Sequence, residues 1–357
     1  MKIKNIIYAA TLLLAALPCQ AQENITTLKT CIERGLENNY SLRIVRNNEE
    51  IAGNNFSWAN AGMLPTANIS GGYSGTLDNS NTTDRASGTV SKQRNITDHT
   101  LRAGVDMQWM IFDGFKMQAD YNRLRELKLQ SKTQTRLAIE DFVAKLTAEY
   151  YNYVQQSARL RNLNYAVQLS RERLRIVHER YVIGDNSRLD LLQARVDFNA
   201  DSAESAKQHE LLATSRIRLH ELMADENIEE TFNLSDTTVS VVRIMNFDKL
   251  WESTLQNNAS LLLAAQDKKL AEIDLKSIRS RDYPYMSLNA GYGYTRNKYE
   301  VGATDVRKQW GADFGVTVGF KLFDGNRSRE RRNAKLNIKN AELEQQDLQL
   351  SLYADLA

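Results

Sequence analysis

Alternation and helical periodicity divide the chain between two kinds of element. Residues 66–76 alternate: Ala67, Ile69, Gly71 and Tyr73 face one way, and Asn68, Ser70, Gly72 and Ser74 the other. That is the period of a strand with one apolar face. Alternation returns at 101–111, where Leu101, Ala103, Val105, Met107 and Trp109 oppose Arg102, Gly104, Asp106 and Gln108. Between these runs, residues 77–99 are rich in Asn, Asp, Ser and Thr and read as a long exposed loop. Each strand is about ten residues long, enough to cross a bilayer when tilted. Trp109 and Phe112 stand where an interfacial aromatic belt would be.

A turn at Phe112-Asp113-Gly114 leads into a proline-free helical run over 115–183. Ile139, Phe142, Val143, Leu146, Tyr150, Val154 and Ala158 trace its apolar stripe. Such a helix is roughly 100 Å long at ~1.5 Å per residue. No globular core is that deep, so the stripe must meet another helix along its length. After a break at Gly184-Asp185-Asn186, residues 188–223 supply that return helix. Upstream, Leu28, Ile32, Leu36, Leu42, Ile44, Val45 and Ile51 recur at helical steps over 24–62, interrupted at Asn38-Asn39 as at a helix–helix corner. That run ends before Pro65, as the restriction on the residue preceding proline requires.

The second half repeats the first. Leu36-Glu-Asn-Asn-Tyr-Ser-Leu42 returns as Leu255-Gln-Asn-Asn-Ala-Ser-Leu261, Pro65 as Pro284, and Gly72-Tyr73 as Gly291-Tyr292, all at 284 − 65 = 219 positions. Phe112-Asp113-Gly114 returns as Phe323-Asp324-Gly325 at 323 − 112 = 211, so the second strand hairpin has the shorter loop. Its strands, about 285–295 and 309–321, carry Met286, Leu288, Ala290 and Tyr292, and Trp310, Ala312, Phe314, Val316, Val318 and Phe320 on their apolar faces. The domain plan is a first repeat over 22–223, a connector over 224–246 with a short strand at Thr237–Val242, and a second repeat over 247–357. A second long helix occupies 326–357. By the later offset Ala357 matches Leu146, in mid-helix, so the repeat predicts about eighty further residues and the second copy reads as truncated.

Composition narrows the class. Formal net charge is +2, with 46 basic residues scattered among 44 acidic ones, which reads as a solvated helical surface and gives no nucleic-acid footprint. Residues 1–21 read as a secretory signal: Lys2 and Lys4, an apolar core Ile6 to Leu17, and the cleavage site Cys19-Gln-Ala21. Pro18 and Ala16 depart from a lipobox, so no lipid anchor is expected at Cys19. Cys31 is then the sole cysteine of the mature chain, expected as a small buried residue. His99, His178, His209 and His220 lack ligand spacing, so no metal and no cofactor are expected. No Ser/His/Asp, Cys/His or paired-carboxylate arrangement suggests an enzyme, and Asp113 and Asp324 fit turn chemistry.

The fold class is therefore mainly α with a β-barrel part, built from two tandem repeats of strand hairpins and very long coiled-coil helices. Four strands cannot close a membrane barrel, and open edges in lipid are not tolerated. Three copies give twelve strands, with Asn68, Ser70, Asp106, Gln108, Asn289, Asp313 and Thr317 lining a wet lumen. The repeat plan, the two Phe-Asp-Gly turns and the run Arg180-Tyr-Val-Ile-Gly-Asp-Asn-Ser-Arg-Leu-Asp-Leu-Leu-Gln-Ala-Arg195 resemble the TolC family of outer-membrane efflux proteins.

The resemblance implies a homotrimer with a twelve-stranded barrel in the lipid of the cell outer membrane and a periplasmic α-helical tunnel. It also implies a passive exit duct for a tripartite efflux pump or type I secretion system, working with a periplasmic membrane-fusion adaptor and an inner-membrane transporter. On that resemblance Ile183, Gly184 and Asp185 form the adaptor-docking tip, although many members carry a third aliphatic residue where this chain has Asp185. Asp190 matches an acidic residue near the periplasmic entrance. Taken alone, Gly184 also fits a helix C-cap and Asp190 a first-turn charge on the helix dipole. The competing reading is a periplasmic coiled-coil adaptor or scaffold without a pore, whose strands would lack a lipid-facing apolar side.

Overall fold

The structure, a computed structural model, describes residues 25–229, 232–234 and 246–357. The secretory segment and the strand expected at Thr237–Val242 lie outside the described residues. The described chain runs β1 (Ile25–Thr26), α1 (Leu28–Asn38), α2 (Tyr40–Asn55), β2 (Thr66–Thr83), β3 (Val90–Phe112), α3 (Lys116–Val182), α4 (Arg188–Met223) and β4 (Asn233–Leu234). It continues with α5 (Phe247–Asn257), α6 (Ala259–Arg279), β5 (Tyr285–Lys298), β6 (Val306–Gly319) and α7 (Arg327–Leu356). Its described residues form two compact units, one within Met1–Ile44 and Ala138–Ile244 and one within Val45–Leu137 and Met245–Ala357.

The first unit is a helical assembly around α3 and α4. Phe142, Leu146 and Tyr150 of the α3 stripe are buried with Leu219 and Met223 of α4 and with Cys31 and Leu42 from α1 and α2. Gly35 lets α1 approach closely, since a Cβ there would lie 2.4 Å from the Phe142 ring. Away from this cluster the α3–α4 seam is polar: Gln208 Nε2 donates to Gln156 Oε1 at 2.7 Å, and Ser205 Oγ to Asn164 Oδ1 at 2.9 Å. Small residues and paired amides permit close helix approach there and satisfy most buried polar groups, although Gln208 Oε1 and, further along α4, Arg216 Nε are buried without a hydrogen-bond partner among the described residues. β1 and β4 pair in parallel beside these helices.

The second unit holds the sheet, in the order β2-β3-β5-β6, with every pairing antiparallel. Helix α6 lies between the first turns of α3 and the final helix α7. Arg123 Nε meets Asp274 at 2.9 Å and Lys269 Nζ meets Glu126 at 2.6 Å on one side, while Lys268 Nζ meets Glu342 at 2.9 Å on the other.

The repeat is visible in matching corners. Asn39 separates α1 from α2 and accepts from Leu42 N at 3.1 Å; Asn258 separates α5 from α6 and accepts from Leu261 N at 3.1 Å. Each amide caps the helix that follows, which is why the pattern breaks there in both halves.

Several boundaries differ from the sequence reading. Helix α2 ends at Asn55 rather than near 62; a turn follows, and Trp109 Nε1 donates to Met63 O in it at 3.0 Å. Residues 77–99 are not a loop. Pairing continues out to Thr83↔Val90, past an irregularity at Asp78/Ser80 where Asn95 takes a left-handed φ of 57° and donates its N–H to Asn79 Oδ1. The loop proper shrinks to a turn in which the Asp84 carboxylate accepts from Ala86 N and from Ser87. This outer ladder is mostly polar, with Leu77, Val90 and Ile96 too widely spaced to give a period-two apolar signal; backbone pairing extends it. β6 ends at Gly319 rather than 321, and β5 reaches Lys298 rather than 295.

Candidate functional site

Two features bear on function: the two faces of the sheet and the tip of the α3–α4 hairpin. Cross-strand register puts Asn68, Asp106, Gly291 and Asp313 in one row, and Gln108 beside Asn289 in the next. Ser70 Oγ donates to the Asp106 carboxylate at 3.3 Å. Gly291 leaves room between the two carboxylates of this row: a Cβ there would meet the carboxylate oxygens of Asp313 at 2.9 Å and of Asp106 at 3.2 Å. The opposite face carries Ile69, Val105, Tyr292, Trp310, Phe314, Val316 and Val318, all exposed; Phe314 is 86% accessible. A broad apolar face left open beside a polar face has the pattern of a membrane barrel wall. Among the described residues, no helix is long and apolar enough to cross a membrane.

The two prolines matched by the repeat sit immediately before a strand, Pro65 before β2 and Pro284 before β5. At the end of β3, Asp113 caps α3 by accepting from Met117 N at 3.0 Å. Gly114 takes φ +72°, and a Cβ there would lie 2.1 Å from Ser280 O. Phe112, Phe115 and Tyr283 stack edge to face around this turn. The second Phe-Asp-Gly turn is built differently. Asp324 accepts from Asn326 N and from Lys321 Nζ, which holds its carboxyl below the usual range. Gly325 has no positive φ, and Phe323 is 86% exposed.

The hairpin tip closes with two standard caps. Asp185 N donates to Arg180 O at 2.8 Å and Gly184 N to Tyr181 O at 3.1 Å, the paired bonds of a Schellman end, with Gly184 at φ +83°. Ser187 then caps α4. Its hydroxyl and N–H donate to the Asp190 carboxylate at 2.6 and 3.0 Å, and Asp190 N donates back to Ser187 Oγ. The Ser187 hydroxyl, then its amide, hold the Asp190 carboxyl below its ordinary value. So Gly184 and Asp190 have structural duties, whereas Ile183, 77% exposed, has none. Val182 and Leu189 are similarly bare and widen the apolar tip; the sequence reading did not single them out.

No group of three or more His, Cys, Asp or Glu side chains among the described residues is arranged to hold a metal. The family model for outer membrane efflux proteins matches residues 31–225, more than half the chain. The chain belongs to the outer membrane efflux protein family. Solved structures share its fold. A membrane protein from Pseudomonas aeruginosa aligns with TM-score 0.73 at 16% identity, over 92% of this chain and 74% of that one. The CmeC outer membrane channel of Campylobacter jejuni aligns with TM-score 0.72 at 16% identity, over 92% and 68%. The outer membrane protein VceC of Vibrio cholerae aligns with TM-score 0.68 at 15% identity, over 91% and 75%. No curated protein matched the chain in a sequence comparison. As a member of this channel family the chain is an outer-membrane protein, with its sheet as barrel wall and its long helices on the periplasmic side.

Proposed function

We propose that the chain is the outer-membrane exit duct of a tripartite efflux pump or type I secretion system. The observation that carries this reading is the four-stranded sheet with one apolar face, one polar face and both edges, β2 and β6, unpaired among the described residues. Unpaired backbone edges are not tolerated in lipid, so the edges must meet those of other copies. Three copies close a twelve-stranded barrel around a lumen lined by Asn68, Ser70, Asp106, Gln108, Asn289, Asp313 and Thr317. Trimeric assembly is also what the family resemblance implies.

The exposed apolar positions along the helical hairpin, Tyr165, Leu169 and Val196 among them, fit contacts between neighbouring hairpins in a tunnel. Transport through such a duct involves no covalent chemistry. The partner transporter supplies energy, and docking of the periplasmic adaptor on the tip opens the entrance. Ile183, with Val182 and Leu189, makes the apolar contact, while Gly184 and Asp190 hold the tip's shape and Asp185 stands beside it.

The test is the oligomeric state of the protein in detergent, followed by conductance in planar bilayers and cross-linking from position 183 to the adaptor. A trimer that conducts and cross-links through the tip supports the duct. A water-soluble monomer that needs no detergent refutes it and favours a pore-free periplasmic scaffold. Ile183→Glu should weaken adaptor capture without lowering thermal stability, because the side chain is bare.

A further inference from the structure

The apolar face of the sheet changes character toward the strand tips, the end away from the helices. From Met286 to Tyr294 on β5 the outward side chains are apolar or aromatic, a run of about 26 Å at ~3.3 Å per residue. Tyr294 and Trp310 face each other across β5 and β6 as an aromatic row, the usual mark of a membrane interface. The next row on the same face reads Tyr73, Leu101, Arg296, Lys308, and the one beyond it Gly75, His99, Lys298, Val306. Three cations therefore sit immediately outside the aromatic row, on the side that faces lipid rather than the lumen.

All of these cations but Lys308, which stands beside Arg296 in the same row, share one concavity. Tyr73, His99, Leu101, Arg296 and Lys298 line this concavity of about 220 Å³. The Tyr73 hydroxyl and His99 Nδ1 are 2.7 Å apart and the two rings stack with centroids 5.7 Å apart, which fixes its wall. Among the described residues, Arg296, Lys298 and Lys308 make no ion pair. Glu300, two residues past Lys298, instead accepts from the amide of Thr97. Unneutralised cations on a lipid-facing wall, at headgroup depth, call for an anionic headgroup.

We propose that this patch binds the phosphate of an outer-leaflet lipid headgroup, with Arg296, Lys298 and Lys308 as its cationic contacts and the Tyr73–His99 pair as its wall. Arg296 offers a planar fork suited to two phosphate oxygens, and the lysines act as point charges. Leu101 and the aromatic row below receive the first segment of the acyl chains. The proposal rests on the barrel reading above, because only a lipid-embedded wall presents this face to headgroups.

The test uses the full protein in detergent and native mass spectrometry, with phosphorylated lipid A, the same lipid stripped of phosphate, and inorganic phosphate as probes. Phosphorylated lipid should be retained. The stripped lipid, and the triple variant R296Q/K298Q/K308Q with phosphorylated lipid, should each bind more than about tenfold more weakly. Arg102→Gln, one residue along β3 from Leu101 and on the opposite, polar face, should bind normally. All four side chains stand on the sheet surface, and trimer yield reports whether the variants fold. Equal retention by the triple variant, or displacement of the lipid by millimolar inorganic phosphate, overturns the proposal.

Quenching of Trp310 by brominated lipid, read as the difference from Trp310→Phe, separates the two levels. Quenching without phosphate dependence defeats this inference alone. Absence of quenching defeats the barrel reading and the inference with it.

Discussion

Gly114 and Gly325 close the same tripeptide in the two repeats, yet the structure predicts opposite responses to a single methyl group. At Gly114 the backbone is left-handed, and a Cβ would stand 2.1 Å from Ser280 O and 2.9 Å from Tyr283 Cβ. Holding a non-glycine residue in that region costs about 1–2 kcal/mol. Forcing the 3-10 turn at Ser280–Asp282 aside adds roughly 1–3 kcal/mol of overpacking. The narrower unfolded ensemble of alanine returns about 0.4–1 kcal/mol. Gly114→Ala should therefore destabilise by ~2–4 kcal/mol.

At Gly325 the φ is not positive, and the nearest atom a Cβ would meet is the Phe323 ring at 3.9 Å. There only the unfolded-state effect survives, so Gly325→Ala should lie within about 1 kcal/mol of wild type, on the stabilising side. Urea titration of each variant in lipid vesicles, followed by tryptophan fluorescence, measures both. Equal costs at the two positions would refute the reasoning, since they would show that the tripeptide, and not its tertiary neighbours, sets the backbone.

Leu146→Ala removes a fully buried side chain from the cluster with Tyr150 and Leu219 and should cost about 3–5 kcal/mol, read from the urea midpoint. Burial pushes the Cys31 thiol up to about 11 from 9.0, with Arg34 pulling weakly the other way. The folded thiol thus holds its proton more tightly than the unfolded one. Its contribution to stability should be intact below pH 9 and lost as pH rises through about 11, and alkylation of Cys31 at pH 8 should wait on unfolding. Cysteine placed at Ser87, on the β2–β3 turn, should react with a membrane-impermeant maleimide on intact cells, whereas cysteine at Ser187 should react only after the outer membrane is permeabilised. Labelling of both on intact cells would contradict the proposed topology.

The elements legible in the sequence were those whose one-dimensional pattern matches a local physical requirement. The return helix Arg188–Met223 follows from the break at Gly184-Asp185-Asn186 and the helical pattern that resumes after it. The sheet faces follow from strict alternation, because a one-residue slip would turn every apolar side chain to the wrong side. The matching asparagine corners follow from cap chemistry that repeats at a fixed offset.

Tertiary structure alone decided the rest. The polar ladder from Leu77 to His99 has no apolar face to announce it and exists through backbone pairing between distant residues. The tip glycine could be read as a helix end, but only the exposure of Val182, Ile183 and Leu189 distinguishes a bare apolar surface from a packed seam. The cationic patch combines Tyr73 and His99 from one repeat with Arg296 and Lys298 from the other, residues that strand order β2-β3-β5-β6 brings onto one face. Identical Phe-Asp-Gly turns diverge because Ser280 and Tyr283 crowd the first and nothing comparable crowds the second. Local chemistry sets periodicity, caps and prolines within a few residues of each position, whereas a backbone's room and a side chain's company depend on chain segments far away in sequence.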